Sequence, residues 1–321
     1  MSVLVFTENW DGKFKKLTYE LVSWASEVAK MINGTVTALS IGSVAEGELE
    51  KLGNYGAGKV LTVETPALNT LDSQAYAALL SEVVLKEKAS VVILSNNNMG
   101  KAVAPRLSVR LKAGICSGVS KLPLSTDPFT VYKRAYSGNA FSRVVIKSDI
   151  KIVTLAQNSF GIIENPVNVT VEKANVAVDN SLVHTQVKDV EKQSGKILLT
   201  DADIVVSGGR GMKSPDNWTP LLELAEALGA ATACSRPVSD EGWRPHEEHT
   251  GQTGKIISPN LYLAVGISGA TQHLAGVSAS KYIVAVNTDK DAPIFEAAQY
   301  GIVGDAMKIL PQLAEAVKHI K

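Results

Sequence analysis

Cys116 and Cys234 are the only thiols in a chain of 321 residues. So few exclude a disulfide framework and cannot supply a four-thiolate zinc or iron–sulfur site within the chain. No apolar run approaches the ~20 residues that a membrane-spanning helix needs, which excludes an integral membrane protein. The charges cancel, 32 Lys+Arg against 32 Asp+Glu, which argues against nucleic acid as a partner. The opening MSVLVFTENWDG has neither a basic signal-peptide start nor an Arg-rich transit leader. We therefore expect a cytoplasmic protein, neither secreted nor mitochondrial. Walker A, GxGxxG and HExxH patterns are also missing, as is a defensible Ser–His–Asp or Cys–His arrangement. What is present is an ordinary globular composition, 45% apolar and 20% charged, in a chain long enough for two domains.

The first third alternates short β-rich runs with amphipathic stretches. Val3–Phe6 reads as a strand. Leu17, Leu21, Trp24, Val28 and Met31 share a helix face, which Asn33-Gly34 should stop. Strands are expected at Thr35–Ile41, Lys59–Val63 and Val91–Leu94, and helices at about Ser73–Lys88 and Gly100–Leu111. Continuous apolar strands between helices predict a mainly parallel sheet covered on both faces. Phe129–Arg134, Ser142–Ile146 and Lys151–Leu155 come without helices between them and read as antiparallel strands at the edge of that domain. The polar segment Val169–Ser194 reads as a linker, giving an N-terminal α/β domain at 1–190 and a C-terminal domain at 191–321.

In the second domain each expected strand ends in residues suited to binding. Ser207-Gly-Gly-Arg210-Gly follows Ile204–Val206. Ser235-Arg236 follows Ala231–Cys234, and Gly266-Ile-Ser268-Gly-Ala follows Leu261–Val265. Asn287 follows Tyr282–Val286, and Asp305 comes just after Ile302-Val303. The carboxyl ends of parallel strands share one edge, where such sheets bind ligands. A polar rim this long suits a dinucleotide. The glycines allow close backbone approach, and a helix opening at Ser268 would aim its dipole at a pyrophosphate. Arg210 can reach a phosphate or an electron-rich ring, Asp305 ribose hydroxyls, and Asn287 ribose or an adenine edge. His273 falls early on the same helix. Each motif alone is an ordinary turn, and the joint placement carries the reading. Pro311 should kink or restart the terminal helix Ala306–Ile320.

The irregular segment between Ser239 and Ile256 is long enough to be functional. Its His246, Glu247, Glu248 and His249 lack metal-ligand spacing and read as solvated loop charges, whereas Gly251-Gln252-Thr253-Gly254 can hold two polar tips against a ring system.

Gly251-Gln-Thr-Gly-Lys255, the run from Ser258 through Gly266-Ile-Ser-Gly-Ala-Thr-Gln-His273 to Gly276, Ile283-Val-Ala-Val-Asn287, Ala292-Pro-Ile-Phe295 and Tyr300-Gly-Ile-Val-Gly-Asp305 strongly resemble the alpha subunit of electron-transfer flavoprotein. The resemblance extends more loosely into the first domain. It implies a heterodimer with a beta subunit and a C-terminal domain with a Rossmann-like FAD-binding fold. It also implies an electron carrier without substrate turnover of its own. Such a carrier runs between flavin dehydrogenases, such as acyl-CoA dehydrogenases of fatty acid oxidation, and a quinone oxidoreductase or another acceptor. Carried over, Thr253 would donate to flavin N5, Arg236 would lie against the isoalloxazine, and His273 would sit by its N1/C2 side. Gln252 would help hold the ring, and Ser268 and Gln272 would serve the pyrophosphate and ribityl region. Asn287 and Asp305 would hold the AMP end, while Arg210, Ser235 and the Gly266 turn complete the pocket. His249 stands where the family often has Gln, and Ala156 where it often has Arg. An NAD(P)-binding oxidoreductase subunit, a nucleotide-binding regulatory module and an electron-bifurcating version of the flavoprotein are the alternatives.

Overall fold

The computed structural model describes residues 2–138, 140–177, 180–190 and 197–320. They form two compact units, one of 1–135 with 140–190 and the other of 136–139 with 191–321. The end of the proposed linker, and with it the boundary at 190/191, lies against residues 191–196, outside the described ones.

The first unit is a ten-stranded sheet. From one edge its strands are Ala140–Ile146, Phe129–Ala135, Gly114–Val119, Lys151–Leu155, Ala89–Ser95, Ser2–Thr7, Thr35–Ile41, Lys59–Val63 and Thr170–Lys173, with Ser125–Thr126 paired to the second. Side chains alternate between two cores. Val3 and Val5 pack under helix Lys16–Met31 through Leu21, Trp24 and Val28. Leu4 and Phe6 face helices Ser73–Lys86 and Asn98–Leu111 through Tyr76, Leu80, Val103 and Leu107. The first helix ends as expected, and the residue that turns left-handed is Asn33, at φ 49°.

Two expectations are corrected. Lys151–Leu155 is not an antiparallel edge strand. It pairs parallel to both Ala89–Ser95 and Gly114–Val119, because Ile152, Val153 and Leu155 are fully buried and need cover on both faces. Of the three expected edge strands, Phe129–Ala135 and Ala140–Ile146 do form an antiparallel hairpin. The presumed linker also contributes structure: Thr170–Lys173 adds an edge strand parallel to Lys59–Val63.

Further along that segment, Asp72 ties the chain down. Its Oδ1 caps helix Ser73–Lys86 by accepting from the amides of Gln74 and Ala75, and its Oδ2 accepts from the amides of His184 and Thr185. Burial works against ionisation, but hydrogen bonds from Ala75, His184, Thr185 and Gln74 outweigh it and bring the carboxyl down to about 2.

The second unit is a five-stranded, wholly parallel sheet. Its strands are Ile204–Gly208, Ala231–Cys234, Leu261–Val265, Tyr282–Asn287 and Tyr300–Val303, standing in the order second, first, third, fourth, fifth. Val206, Val265 and Val286 meet helices Thr219–Leu228 and Ala306–Ile320 on one face. Val205, Tyr262 and Ala285 meet Ile257, Val277 and Ile294 on the other. This is a doubly wound α/β sheet. Its order reverses between Ile204–Gly208 and Leu261–Val265, and the crevice at that switch point is where such sheets take ligands. The terminal helix runs unbroken through Pro311, whose place in its second turn removes one hydrogen bond without ending it.

The folded pKa of Asp72 lies below its unfolded value, so its contribution is complete above about pH 4 and fades as pH falls through about 2. Asp72→Asn places an NH2 group against amides that need an acceptor. We expect it to cost about 1–3 kcal/mol at neutral pH. Urea unfolding of the first unit should show that deficit shrinking toward acid. A deficit independent of pH would contradict this role.

Candidate FAD site at the switch point

At the switch point two loops touch through bare backbone. A Cβ on Gly209 would lie 2.2 Å from the Gly266 carbonyl oxygen, and one on Gly211 would lie 2.7 Å from Gly266 Cα. The Gly209 amide donates to Val265 and the Gly211 amide to the Gly266 carbonyl, at 2.8 and 2.9 Å. Gly266 itself is left-handed, at φ 61°. No side chain fits here, so the sequence Gly-Gly-Arg-Gly is a packing requirement as well as a loop. Asn287 fastens the next stretch, with Nδ2 donating to the Ile267 carbonyl at 2.9 Å. The helix after Gly266 begins later than expected, at Thr271 rather than Ser268. The intervening turn bends through Gly269, which is left-handed and packed on Ile294. Among the described residues, the amides of Ser268, Gly269 and Ala270 donate to no other part of the chain.

A second wall is the arch His249–Lys255. The Thr250 amide donates to the Cys234 carbonyl at 3.0 Å, Gln252 to Gln272 at 2.7 Å, and Lys255 back to His249 at 2.8 Å. Gly276 is the reason the arch can lie on the helix, since a Cβ there would sit 2.5 Å from Gly251. The backbone is thus stitched to a strand end and to a helix, which leaves the side chains of Gln252 and Thr253 exposed.

Between these walls lies a cavity of about 640 Å³. Arg210, Ser235, Arg236, Gln252 and Thr253 line it, as do Gly266, Ser268, Gln272, His273 and Asn287. Four strand ends contribute, and the fifth does not. Asp305 is not among the lining residues. Its Oδ1 accepts from the Met307 amide at 2.9 Å, at the start of the terminal helix. The structure adds His249, Thr250, Asp289, Ala292 and Pro293 to the lining. Asp289 had a signal in sequence, two residues past Asn287 in an Asp-rich turn, whereas His249 and Thr250 had none because their burial depends on the arch.

The electrostatics divide sharply. The Arg210 and Arg236 side chains are exposed, Arg210 in an ion pair 3.6 Å from Glu241 and Arg236 hydrogen-bonded to Asp240 at 3.2 Å. His249 and His273 are buried, and the Nδ1 of each meets no partner at hydrogen-bond geometry among the described residues. Burial, and then the neighbouring His249, bring the His273 pKa down to about 4, against a raising effect from the Thr250 backbone. Burial, then His246, also lowers that of His249. Both rings are therefore neutral near pH 7.

The charges at 246–249 are not simply solvated. Glu248 is buried and takes a two-pronged ion pair from Arg244, at 2.7 and 2.8 Å. The Arg244 guanidinium also lies 5.8 Å from the Trp218 ring centre. The pair braces the approach to the arch. Cys116 and Cys234 are buried, with thiol pKa values raised first by burial. Among the described residues, no group of three or more His, Cys, Asp or Glu is placed to hold a metal ion. No helix among them is long and apolar enough to cross a membrane.

A glycine-lined crevice with unpaired amides, two available guanidiniums and buried imidazole nitrogens lacking partners among the described residues fits a polar dinucleotide. Residues 3–179 match the electron transfer flavoprotein domain and residues 198–278 the electron transfer flavoprotein FAD-binding domain. The chain is 36% identical over 319 residues to the electron transfer flavoprotein subunit alpha of Bacillus subtilis, covering 99% of this chain and 98% of the relative. It is 36% identical over 315 residues to that of Syntrophomonas wolfei, covering 98% of each. It is 31% identical to the lactate dehydrogenase (NAD(+),ferredoxin) subunit LctC of Acetobacterium woodii, covering 98% of this chain and 77% of that one. The chain belongs to the electron transfer flavoprotein alpha-subunit family, whose role is electron transfer and whose cofactor is FAD.

Removing one partner of a buried ion pair strands the other charge, at about 3–5 kcal/mol, while replacing both by apolar groups is often nearly neutral. Glu248→Gln should therefore destabilise the second unit far more than Arg244→Met combined with Glu248→Leu. Equal losses in thermal unfolding would show that the pair is not what braces the loop.

Proposed function

We propose that this chain is the FAD-holding half of a heterodimer with a beta subunit. It carries electrons from flavin dehydrogenases, such as acyl-CoA dehydrogenases, to a quinone oxidoreductase or another acceptor. It turns over no substrate of its own, and it works in the cytoplasm. The observation that carries this reading is the glycine crossing at the switch point, with a polar cavity above it, inside the segment matched by the FAD-binding domain.

When bound, FAD supplies reversible electron uptake and release. The chain's own residues would bind it and set its electrostatics. The free amides at 268–270 with Ser268 and Gln272 would receive the pyrophosphate and ribityl region, and Asn287 the AMP end. Thr253 and Gln252 would meet the ring system from the arch. Arg236 would supply the positive charge. Its exposed ion pair with Asp240 is worth no more than about 0.5 kcal/mol, so the guanidinium can turn to the cavity. There it would oppose negative charge gathering on the ring's N1/C2 side, in surroundings drier than bulk water. His273, neutral near pH 7, would act as a hydrogen-bond partner rather than a cation.

A second reading, an electron-bifurcating version, is favoured by the likeness to LctC. Flavin counting separates the two. Copurified with its partner subunit, the chain should give a yellow complex with one FAD per heterodimer. Two flavins would favour bifurcation. A colourless complex that tightens on NADH would instead point to a nicotinamide-binding subunit. In the yellow complex, Arg236→Ala should lower the midpoint potential of the first electron by tens of millivolts with FAD retained, and an unchanged potential would remove Arg236 from this role. Thr253→Ala should loosen FAD about 2- to 10-fold, the worth of one hydrogen bond, as read by equilibrium dialysis.

A further inference from the structure

Tyr262 stands on the central strand Leu261–Val265, fully buried in the core that contains Val277 of the His273 helix. Its hydroxyl oxygen lies 2.8 Å from His273 Nε2. Counting hydrogens gives that contact a direction. The phenol keeps its single hydrogen, because burial pushes its pKa far above the ordinary value. The Ser207 and Thr250 hydroxyls interact with the phenol oxygen. Thr250 Oγ1 already donates to the Cys234 carbonyl at 3.3 Å. The buried Ser207 hydroxyl meets no other partner at hydrogen-bond geometry among the described residues, so its rotating hydrogen can turn to the phenol oxygen. On the imidazole, Nδ1 meets no partner at hydrogen-bond geometry among the described residues, while the Thr250 backbone lies near enough to favour a hydrogen on the ring.

With Ser207 donating to the phenol, a hydrogen on Nε2 would point at the same oxygen and leave the phenol's own hydrogen to Thr250 Oγ1 alone. It would also leave Nδ1 a bare, buried acceptor. A hydrogen on Nδ1 removes that competition and is the form that the nearby Thr250 backbone, acting as an acceptor, favours. Ser207 then donates to Tyr262 and Tyr262 donates to Nε2, in one directed chain.

We infer that Tyr262 is a positioning residue: its hydroxyl donates to His273 Nε2 and holds the imidazole as the neutral Nδ1–H tautomer. Nδ1–H is then the one donor the ring can offer a flavin. That last step rests on the proposed FAD site, whereas the tautomer does not. The device is that by which a buried partner selects which nitrogen of a histidine meets a ligand.

The test uses the full chain labelled with 15N-histidine, and two-bond 1H–15N correlation spectra recorded without and with FAD. His273→Gln assigns the signals. The wild type should show His273 protonated on Nδ1 alone before any FAD is added. Tyr262→Phe, which keeps the ring volume, should move the proton to Nε2 or to a mixture, leaving His246 unchanged. A wild-type ring protonated on Nε2, or on both nitrogens, overturns the inference, and it does so even if Tyr262→Phe fails to fold. So does an Nδ1–H tautomer that survives Tyr262→Phe. FAD uptake, followed separately by absorbance, tests the site itself. In the loaded complex Tyr262→Phe should weaken FAD about 2- to 10-fold and shift its midpoint potential. Neither effect should appear in a His273→Gln background. The same loss in that background would mean that Tyr262 acts through packing, which also overturns the inference.

Discussion

Two strand-end loops meet at the middle of the second sheet with no side chain between them, and the geometry of the cavity follows from that contact. Gly209 and Gly211 lie so close to Gly266 that any Cβ would collide with backbone. The cross-loop hydrogen bonds into Val265 and Gly266 hold them there. Because the sheet order reverses at this point, the helices on either side diverge and leave a crevice. The glycine contact forms its floor. The arch at 249–255 closes it from the side, and it can do so only because Gly276 lets Gly251 rest on the helix.

On this frame the charges are sorted by depth. The cations, Arg210 and Arg236, are at the rim and weakly held, so they can follow a ligand. The imidazoles are inside and neutral, the pKa of His273 lowered to about 4 by burial before anything else. A buried neutral donor costs little to keep and gives direction, whereas a buried cation would be costly without a partner. The buried charge pair near the loop, Arg244 with Glu248, is matched by two hydrogen bonds and faces Trp218.

Much of this was legible in the residues. Strand-helix alternation marked the parallel parts of both sheets, and turn residues at successive strand ends marked the shared edge, because those signals are local. What was not legible depended on contacts distant in sequence. Lys151–Leu155 carries no local mark of strand direction, which is set by its two neighbours. The polar stretch after Val169 resembles a linker until the Asp72 carboxylate, more than a hundred residues earlier, captures two of its amides. Glu248 and His249 look solvated because polar residues in an irregular segment usually are, and only the folded arch buries them. Asp305 follows a strand like the other rim residues, yet the terminal helix begins beside it and uses its carboxylate as a cap. The helix expected at Ser268 starts at Thr271 because Gly269 takes a left-handed turn.

The central claim is that the crevice above the glycine contact is where FAD sits. Amide hydrogen exchange, followed on the chain in complex with its partner subunit with and without FAD, tests it at the backbone groups themselves. The account predicts that FAD slows exchange at 250–253 and 266–272 and leaves the strand ends of the first unit unaffected. Exchange unchanged at those segments, or slowed only in the first unit, would contradict it.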